Sequence, residues 1–283
     1  MRPTIARKPL NLKVLGLALL CLNLPLALAA ADPWTLVWSD EFGGKAGTQP
    51  SEQAWNYDLG NEDQGGWGNN ELQYYTRSTE NVRLDGKGNL EFRALKNSAD
   101  LWCWSGDACP YTSARLNTKA KMQFVYGKVE ARVQVPAGAG YWPAFWMLGT
   151  GNGGWPNIGE VDVMESIGRM PNTVYGTLHG PGYSGSQGLS VARELPGPVA
   201  GSFHTYTVIK RPAEIVWLLD GAEYHRVTPN DLPAGTNWVF DQPCYLLLNL
   251  AVGGNWPGKP DARTVFPGVM KVDYVRVWKE TAP

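Results

Sequence analysis

The stretch Glu160-Val161-Asp162-Val163-Met164-Glu165 places three carboxylates within six residues and separates them with apolar side chains. Side chains alternate between the two faces of a regular strand, so Glu160 and Asp162 share a face and Glu165 points to the other. One extra residue bulged out near Val163-Met164 returns Glu165 to the face of the other two, and such bulges are frequent beside active sites. The stretch therefore predicts a bulged strand with one acidic face.

Three like charges on one sheet face are costly for a scaffold, because each raises the pKa of its neighbours. The outer Cα atoms of the stretch lie roughly 13 Å apart in a strand. Two glutamates that lean inward bring their carboxyl groups to about 5–5.5 Å, the separation used by retaining glycosidases. The alternative is a solvated acidic edge strand, which the core-like character of Val161, Val163 and Met164 disfavours.

The charge balance and the aromatic content of the chain indicate which classes of molecule it binds. The 283 residues carry 25 basic and 26 acidic side chains, a formal net charge of -1. This balance argues against nucleic acid or an anionic membrane as the main partner. The chain has 13 Trp, 12 Tyr and 33 Gly. Indoles beyond the needs of a core suggest flat platforms for sugar rings, although any single Trp could equally fill a large β core.

Residues 1–31 have the pattern of an export signal. A basic beginning precedes an apolar stretch at residues 14–28, and Ala27-Leu28-Ala29 forms a small-x-small cleavage signal, with Ala29-Ala30-Ala31 as a second option. No second long apolar run follows. We therefore expect a removable signal and a secreted or periplasmic protein that has no membrane contact after signal removal.

The remaining cysteines divide into a pair and a single residue. Cys103 and Cys109 flank a five-residue loop. In an exported protein this spacing predicts a local disulfide, with two free thiols as the alternative. Cys244 begins an apolar run at residues 244–248, so we expect it to be a buried packing residue.

Residues 32–283 are predicted to form a single domain, because no linker, repeat or change of composition interrupts them. Apolar and polar residues alternate at 128–135 and 89–94, whereas 246–252 are apolar apart from Asn249 and predict a strand covered on both faces. Asp220-Gly221 after an apolar run indicates a hairpin. Many short strands between Gly and Pro turns suggest a sandwich of two antiparallel sheets, one of which forms a groove for a polymer.

Eight further motifs accompany the acidic stretch, in this order: Trp38-Ser39-Asp40-Glu41-Phe42, Gly68-Asn69-Asn70-Glu71-Leu72-Gln73-Tyr74-Tyr75-Thr76, Tyr111-Thr112-Ser113-Ala114-Arg115-Leu116, Tyr126-Gly127-Lys128-Val129-Glu130-Ala131-Arg132, Trp142-Pro143-Ala144-Phe145-Trp146-Met147-Leu148, Gly176-Thr177-Leu178-His179-Gly180, Asn249-Leu250-Ala251-Val252-Gly253-Gly254 and Val272-Asp273-Tyr274-Val275-Arg276-Val277. With these motifs the chain resembles glycoside hydrolase family 16, and within it the laminarinase-type endo-1,3-β-glucanases. The resemblance covers nearly all of residues 32–283. The bulged spacing is that of the laminarinase-like branch, since the lichenase branch lacks the extra residue.

The resemblance implies a fold and a reaction. The fold is all-β, a β-jelly-roll sandwich of two antiparallel sheets with a concave catalytic cleft. The reaction is retaining endo-hydrolysis of β-1,3-glucans without a cofactor for catalysis, and mixed-linkage glucan is a further candidate substrate. Glu160 is implied as the nucleophile and Glu165 as the general acid/base. Asp162 is implied to hydrogen-bond Glu160, or else to be a structural acceptor alone.

The resemblance also implies substrate-binding residues. Trp142 and Trp146 share a strand face and would line the cleft, although either could belong to the core. His179 would reach the cleft and bond Glu165 or a sugar hydroxyl, unless it is structural. Trp256 would line one cleft end, and Trp155 would lie on the rim.

Asn70 and Arg115 would donate hydrogen bonds to sugar hydroxyls, and Arg115 could instead pair with a carboxylate. A structural calcium ion is implied away from the cleft, held by the backbone carbonyls of Glu41 and Gly88 and the side chain of Asp273. Carbonyl and carboxylate oxygens suit Ca²⁺.

Other functions use the same fold. A non-catalytic β-glucan-binding protein would lose the glutamates that this chain retains. A hydrolase of agar or carrageenan would favour basic residues near the cleft, where the motifs offer Arg115. A transglycosylase shares the covalent intermediate and is not separated from a hydrolase by sequence. We expect a monomer that binds a β-glucan polysaccharide.

Overall fold

The computed structural model describes residues 1, 4, 33–61, 65–97 and 100–281. The predicted export signal lies outside these residues except at positions 1 and 4. Residues Pro33–Pro283 form one compact unit. Within the described part, no helix has the length and apolar character needed to cross a membrane.

Strands dominate the described residues, and their bounds are β1 Trp34–Asp40, β2 Asn56–Asp58, β3 Gln73–Tyr75, β4 Val82–Leu84, β5 Leu90–Lys96, β6 Tyr111–Ser113, β7 Arg115–Asn117, β8 Gly127–Gln134, β9 Tyr141–Gly149, β10 Glu160–Glu165, β11 Thr173–His179, β12 Leu189–Glu194, β13 His204–Arg211, β14 Glu214–Leu219, β15 Ala222–Val227, β16 Cys244–Val252 and β17 Gly268–Glu280. Short helical turns occur at Gly66–Asn70, Gly185–Gln187 and Pro229–Asp231.

The strands form two sheets. The larger sheet has the order β15-β14-β13-β8-β17-β5-β6-β3, with β1 on β17 and β4 on β5. The smaller sheet has the order β12-β11-β10-β9-β16-β7-β2. Pairing is antiparallel except between β3 and β6, which run parallel. The predicted all-β sandwich of two antiparallel sheets is therefore confirmed, and the parallel pair is a detail that alternation does not reveal.

Burial follows the patterns that predicted the strands. Along β8 and β5, every second side chain is buried, so one face of each strand lies in the core. All nine residues of β16 are buried, as expected for a strand covered on both sides. Asp220 and Gly221 have φ of 49° and 78° between β14 and β15, the paired positive φ of a tight hairpin turn.

The core between the sheets holds the acidic strand in place. Val161, Val163 and Met164 of β10 all belong to this core. Trp217 of β14 is fully buried and donates from Nε1 to the carbonyl oxygen of Asp162 at 2.8 Å. This bond runs from the larger sheet to β10, beside the acidic side chains. Core packing and this hydrogen bond therefore both hold β10 in position.

Both cysteine predictions are confirmed. Cys103 and Cys109 form a disulfide across a Cα–Cα distance of 4.9 Å. Cys244 is a buried free thiol that donates to the Phe124 carbonyl at 3.3 Å.

Candidate active site

A bulge in β10 turns the three carboxylates to one face. Against β9, Asp162 lies opposite Trp146, but Met164 lies opposite Phe145, so Val163 is the extra residue. Glu165 is then opposite Ala144, which shares the strand face of Trp146. The predicted bulge is confirmed.

Each outer glutamate accepts a hydrogen bond from its own tryptophan. Trp155 Nε1 lies 2.7 Å from Glu160 Oε2, and Trp142 Nε1 lies 2.8 Å from Glu165 Oε1. Glu160 is partly exposed, whereas Glu165 is 9% exposed and Asp162 is 2% exposed. Trp155 is thus 48% exposed and donates to the acidic cluster from its loop, and Trp142 lines the cleft rather than the core.

The environment favours the protonated form of all three carboxyl groups. Burial raises the pKa of Glu160 to about 8, and the charge of Asp162 adds to the effect. Burial raises the pKa of Glu165 to about 7, against the opposing influence of His179 and the Trp142 hydrogen bond. Burial and the charge of Glu165 raise the pKa of Asp162 well above its usual range. The three therefore titrate as a coupled group that retains protons near neutral pH.

His179 contacts Asp162 rather than the predicted partner Glu165. In the pairing of β10 with β11, His179 lies opposite Glu160, and its Nε2 is 3.1 Å from Asp162 Oδ2. The approach is off the line that a hydrogen bond prefers, since Asp162 Oδ2 makes no bond of normal geometry. A Cβ at Gly188 would lie 2.4 Å from His179 Cε1, so a glycine is needed for this close packing against the imidazole.

Glu160, Asp162 and His179 each place a donor atom within 4.8 Å of the others, a set that could hold a divalent cation. The carboxyl groups of Glu160 and Asp162 both have raised pKa values, so they can instead share a proton. A shared proton accounts for the closeness of these donor atoms without an ion.

An aromatic corner lies beside Glu165. The rings of Trp142 and Trp256 meet edge to face at 5.5 Å, and Tyr175 meets Trp256 in the same manner at 4.9 Å. The structure thus brings Trp256 to the predicted cleft. Tyr175 was missed by sequence reasoning, although its place opposite Glu165 follows from the strand register.

A second group of side chains surrounds Arg115. Its guanidinium carbon lies 4.5 Å from the Trp67 ring and 4.8 Å from the Trp146 ring. Its Nε donates to Asp58 Oδ2 at 2.9 Å, so Arg115 takes the carboxylate pairing that the sequence left open. Trp146 Nε1 donates to Asn249 Oδ1 at 2.7 Å and is half-buried at the cleft. Sequence reasoning missed Trp67 and Asp58, which carry no periodic pattern.

Asn70 joins two loops at one side of this group. Its Nδ2 donates to Asn255 Oδ1 at 2.8 Å, next to Trp256 in the chain. The predicted role of Asn70 as a donor to sugar stays a prediction, and its position links the loop after β16 to the Gly66–Asn70 turn.

A buried polar network continues beneath Trp146. Asn249 Nδ2 donates to Tyr75 Oη at 3.3 Å, and Tyr75 Oη donates to Glu71 Oε2 at 3.4 Å. Gln73 Nε2 donates to the same oxygen at 2.6 Å. Burial raises the pKa of Glu71 to about 7. Glu71 lies inside a motif used for the resemblance, but its burial was not foreseen.

The candidate calcium residues occupy neighbouring positions along the larger sheet. Asp40 lies opposite Val275 and Leu90 lies opposite Val272, so the register places the chain at Glu41 and at Gly88 near the position of Asp273 in β17. Asp273 Oδ2 accepts from Arg132 Nη1 at 2.7 Å. The oxygen donors fit Ca²⁺ in type, but they are fewer than the six to eight that it takes. The calcium ion stays a prediction.

Comparisons with known proteins agree with this geometry. A family model described as glycosyl hydrolases family 16 matches residues 67–276. The chain is 40% identical over 264 residues to a beta-glucanase of Rhodothermus marinus, across 88% of this chain and 86% of that protein. It is similar to the structure of endo-beta-1,3-glucanase from Pyrococcus furiosus, with a TM-score of 0.82, 44% identity and coverage of 88% of this chain and 96% of the other. It is similar to the laminarinase catalytic domain of Thermotoga maritima, with a TM-score of 0.82, 43% identity and coverage of 89% and 100%.

Proposed function

The chain belongs to glycosyl hydrolase family 16, and from this premise we propose that it is a retaining endo-hydrolase of β-1,3-glucans of the laminarin type. The observation that carries the proposal is the bulge in β10, which turns Glu160, Asp162 and Glu165 to the cleft face together. Two carboxyl groups flanking a glycosidic bond are the machinery of double displacement.

The reaction uses the outer glutamates in turn. Glu165 donates its proton to the departing glycosidic oxygen, while a carboxylate oxygen of Glu160 attacks the anomeric carbon. The glycosidic bond breaks as the bond to Glu160 forms. Glu165, now ionised, removes a proton from water, and the hydroxide attacks the anomeric carbon and releases Glu160. Two inversions at one carbon retain its configuration.

The surroundings support these roles. The raised pKa of Glu165 keeps the acid protonated until the leaving oxygen needs the proton. Glu160 is the more exposed of the pair, and the Trp155 N–H stabilises its negative charge. A hydrogen bond joins the carboxyl groups of Glu160 and Asp162, so the two share one proton. Burial and this bond raise the pKa of Glu160, so attack requires the arrangement in which the shared proton lies on Asp162.

The aromatic side chains suit a neutral polymer. Trp142, Trp146 and Trp256 present rings along the cleft, against which the apolar C–H faces of glucosyl units can stack. Mixed-linkage β-1,3-1,4-glucan contains the same ring faces, and we expect it to be a second substrate.

A reducing-end assay with sizing of products tests the proposal on laminarin, mixed-linkage β-glucan, agarose and κ-carrageenan. We expect short β-1,3 oligosaccharides from laminarin and less than a tenth of this activity for Glu160→Gln, which retains the shape of the nucleophile. Glu165→Gln should lose activity on laminarin but retain the first step on aryl glycosides with good leaving groups. Cleavage of a galactan without cleavage of laminarin would contradict the substrate assignment. Glucan binding without any cleavage would favour a binding protein.

We also propose that the protein acts outside the cytoplasm as a monomer. The basic and apolar beginning of the chain supports export. The mass of the mature protein recovered from the periplasm and the medium tests cleavage and location, and light scattering after gel filtration tests the monomer.

A further inference from the structure

Two tryptophans on the disulfide loop are exposed. Trp102 is 59% exposed and Trp104 is 46% exposed, so two large apolar surfaces face solvent within three residues. Exposed apolar surface of this kind marks a binding site more often than a scattered single residue does. The catalytic mechanism uses neither residue.

The loop holds these indoles on an ordered base. The disulfide between Cys103 and Cys109 closes it. Within the closed loop, Cys103 N donates to the Asp107 carbonyl at 2.8 Å. At its base, Trp102 pairs with Ala108, and Cys109 N donates to the Leu101 carbonyl at 2.7 Å. A ligand that stacks here would therefore order little additional backbone.

A series of contacts joins the loop to the cleft. Trp104 N donates to Asn61 Oδ1 at 3.0 Å, and the Trp104 indole packs so closely on Gly66 that a Cβ there would lie 2.8 Å from Nε1. The next residue, Trp67, stacks on Arg115, which also contacts Trp146 in the cleft. Trp146 is thus connected to Trp104 through Arg115, Trp67 and the adjacent Gly66.

The charge of the loop indicates the class of ligand. Between residues 100 and 110 the chain carries Asp100 and Asp107 and no Lys or Arg. An acidic loop disfavours sulfated or otherwise anionic chains, while exposed indoles favour the apolar face of a neutral sugar.

We propose that Trp102 and Trp104 form a distal subsite that binds glucosyl units of the same β-1,3-glucan chain that occupies the cleft. The inference rests on the proposed function. It adds that long chains gain affinity from units remote from the bond that is cut, whereas oligosaccharides too short to reach the loop do not.

The test compares substrates of different length. Trp102→Ala, Trp104→Ala and the double variant are assayed on laminarin and on the shortest laminari-oligosaccharide that the parent cleaves. We expect the ratio of kcat/KM on laminarin to that on the short substrate to fall roughly 5-fold in the double variant, chiefly through KM. Trp102→Phe with Trp104→Phe is the matched control, because it keeps aromatic faces and should restore most of the ratio.

A binding measurement accompanies the kinetics. In the Glu160→Gln background, retardation of the protein in a gel that contains laminarin should decrease when both indoles are replaced by alanine. An unchanged ratio and unchanged retardation, with an active parent, would overturn the distal subsite alone. Equal losses on long and short substrates would also overturn it, since they indicate a disturbed cleft. A parent that cleaves no laminarin would overturn the proposed function and this inference with it.

Discussion

Trp142 and Trp146 are two cleft indoles with different hydrogen-bond partners. Trp142 donates to Glu165, whereas Trp146 donates to the neutral amide oxygen of Asn249. The bond from Trp142 lowers the pKa of Glu165, because it stabilises the ionised form. Of these two indoles, Trp142 is thus the one that acts on the catalytic acid.

Replacing Trp142 by Phe should shift the alkaline limb of activity. Without the N–H donor the pKa of Glu165 rises from its value of about 7, so the protonated acid persists to higher pH. We expect the alkaline limb of kcat/KM to move up by roughly 0.5–1 pH unit. Trp146→Phe is the control and should leave the limb in place, whatever its effect on KM. A downward shift for Trp142→Phe would contradict the bond's role.

Glu71 makes folding stability depend on pH. The pKa of Glu71 is about 7 in the folded protein, whereas it is 4.5 when the side chain is not buried, as in the unfolded chain. Below pH 4.5 both states are protonated, and between 4.5 and 7 the unfolded state alone loses the proton. The contribution of Glu71 to the free energy of unfolding therefore falls by about 3 kcal/mol as pH rises through this window, then stays constant.

The variant Glu71→Gln removes this titration and keeps the shape of the side chain. Urea denaturation of parent and variant at several pH values from 4 to 8 measures the difference. We expect the variant to gain stability relative to the parent as pH rises. A difference that does not change with pH would show that Glu71 does not titrate in the window.

At the scale of one element, the bulge in β10 can be tested by deletion. Deleting Val163 leaves Asp162 and Glu165 separated by one residue, so a regular strand would keep both on the cleft face. Deleting Val161 instead makes Glu160 adjacent to Asp162 and turns one of them toward the core. We expect measurable laminarin cleavage after the first deletion and none after the second.

Circular dichroism and melting temperature should accompany these assays, so that folding is measured separately from activity. Equal inactivity of two folded deletion variants would show that the bulge does more than set the face of the carboxyl groups.

The elements themselves were largely predictable, because their signals are local. Alternation marked β8 and β5, a continuous apolar run marked β16, and Asp220-Gly221 marked a hairpin. The parallel pairing of β3 with β6 was not predictable, since pairing depends on residues far apart in the chain.

The candidate active site likewise has features that local sequence predicts and features that depend on distant segments. The three carboxylates and the bulge follow from six consecutive residues. The contacts of Arg115 with Trp67 and Asp58, and of Tyr175 with Trp256, join segments that alternation cannot relate. His179 was placed near the acidic strand, but its partner Asp162 depends on strand register.

At the scale of the whole molecule, calcium is expected to affect stability and not catalysis. Asp273 lies in β17 of the sheet that does not contain the acidic strand, and Glu41 and Gly88 lie just outside β1 and β5 of the same sheet. We propose that EDTA lowers Tm, that added Ca²⁺ restores it, and that kcat on laminarin at 25 °C is the same in both. Asp273→Asn should abolish the response of Tm, because it weakens the charged ligand.

Arg132→Gln is the control, since Arg132 shares the Asp273 carboxylate and its loss should strengthen the calcium response. A fall of kcat in EDTA at constant folded fraction would instead place an ion at the cleft, where Glu160, Asp162 and His179 offer donors.

The pairing of each outer glutamate with one indole has an optical consequence. Trp155 and Trp142 touch the two carboxyl groups whose charges alternate during hydrolysis. The emission of an indole responds to the electric field across its ring, and a change of charge on a hydrogen-bonded carboxyl group changes that field. Trp142 therefore reports proton transfer at Glu165, and Trp155 reports formation and cleavage of the glycosyl bond at Glu160.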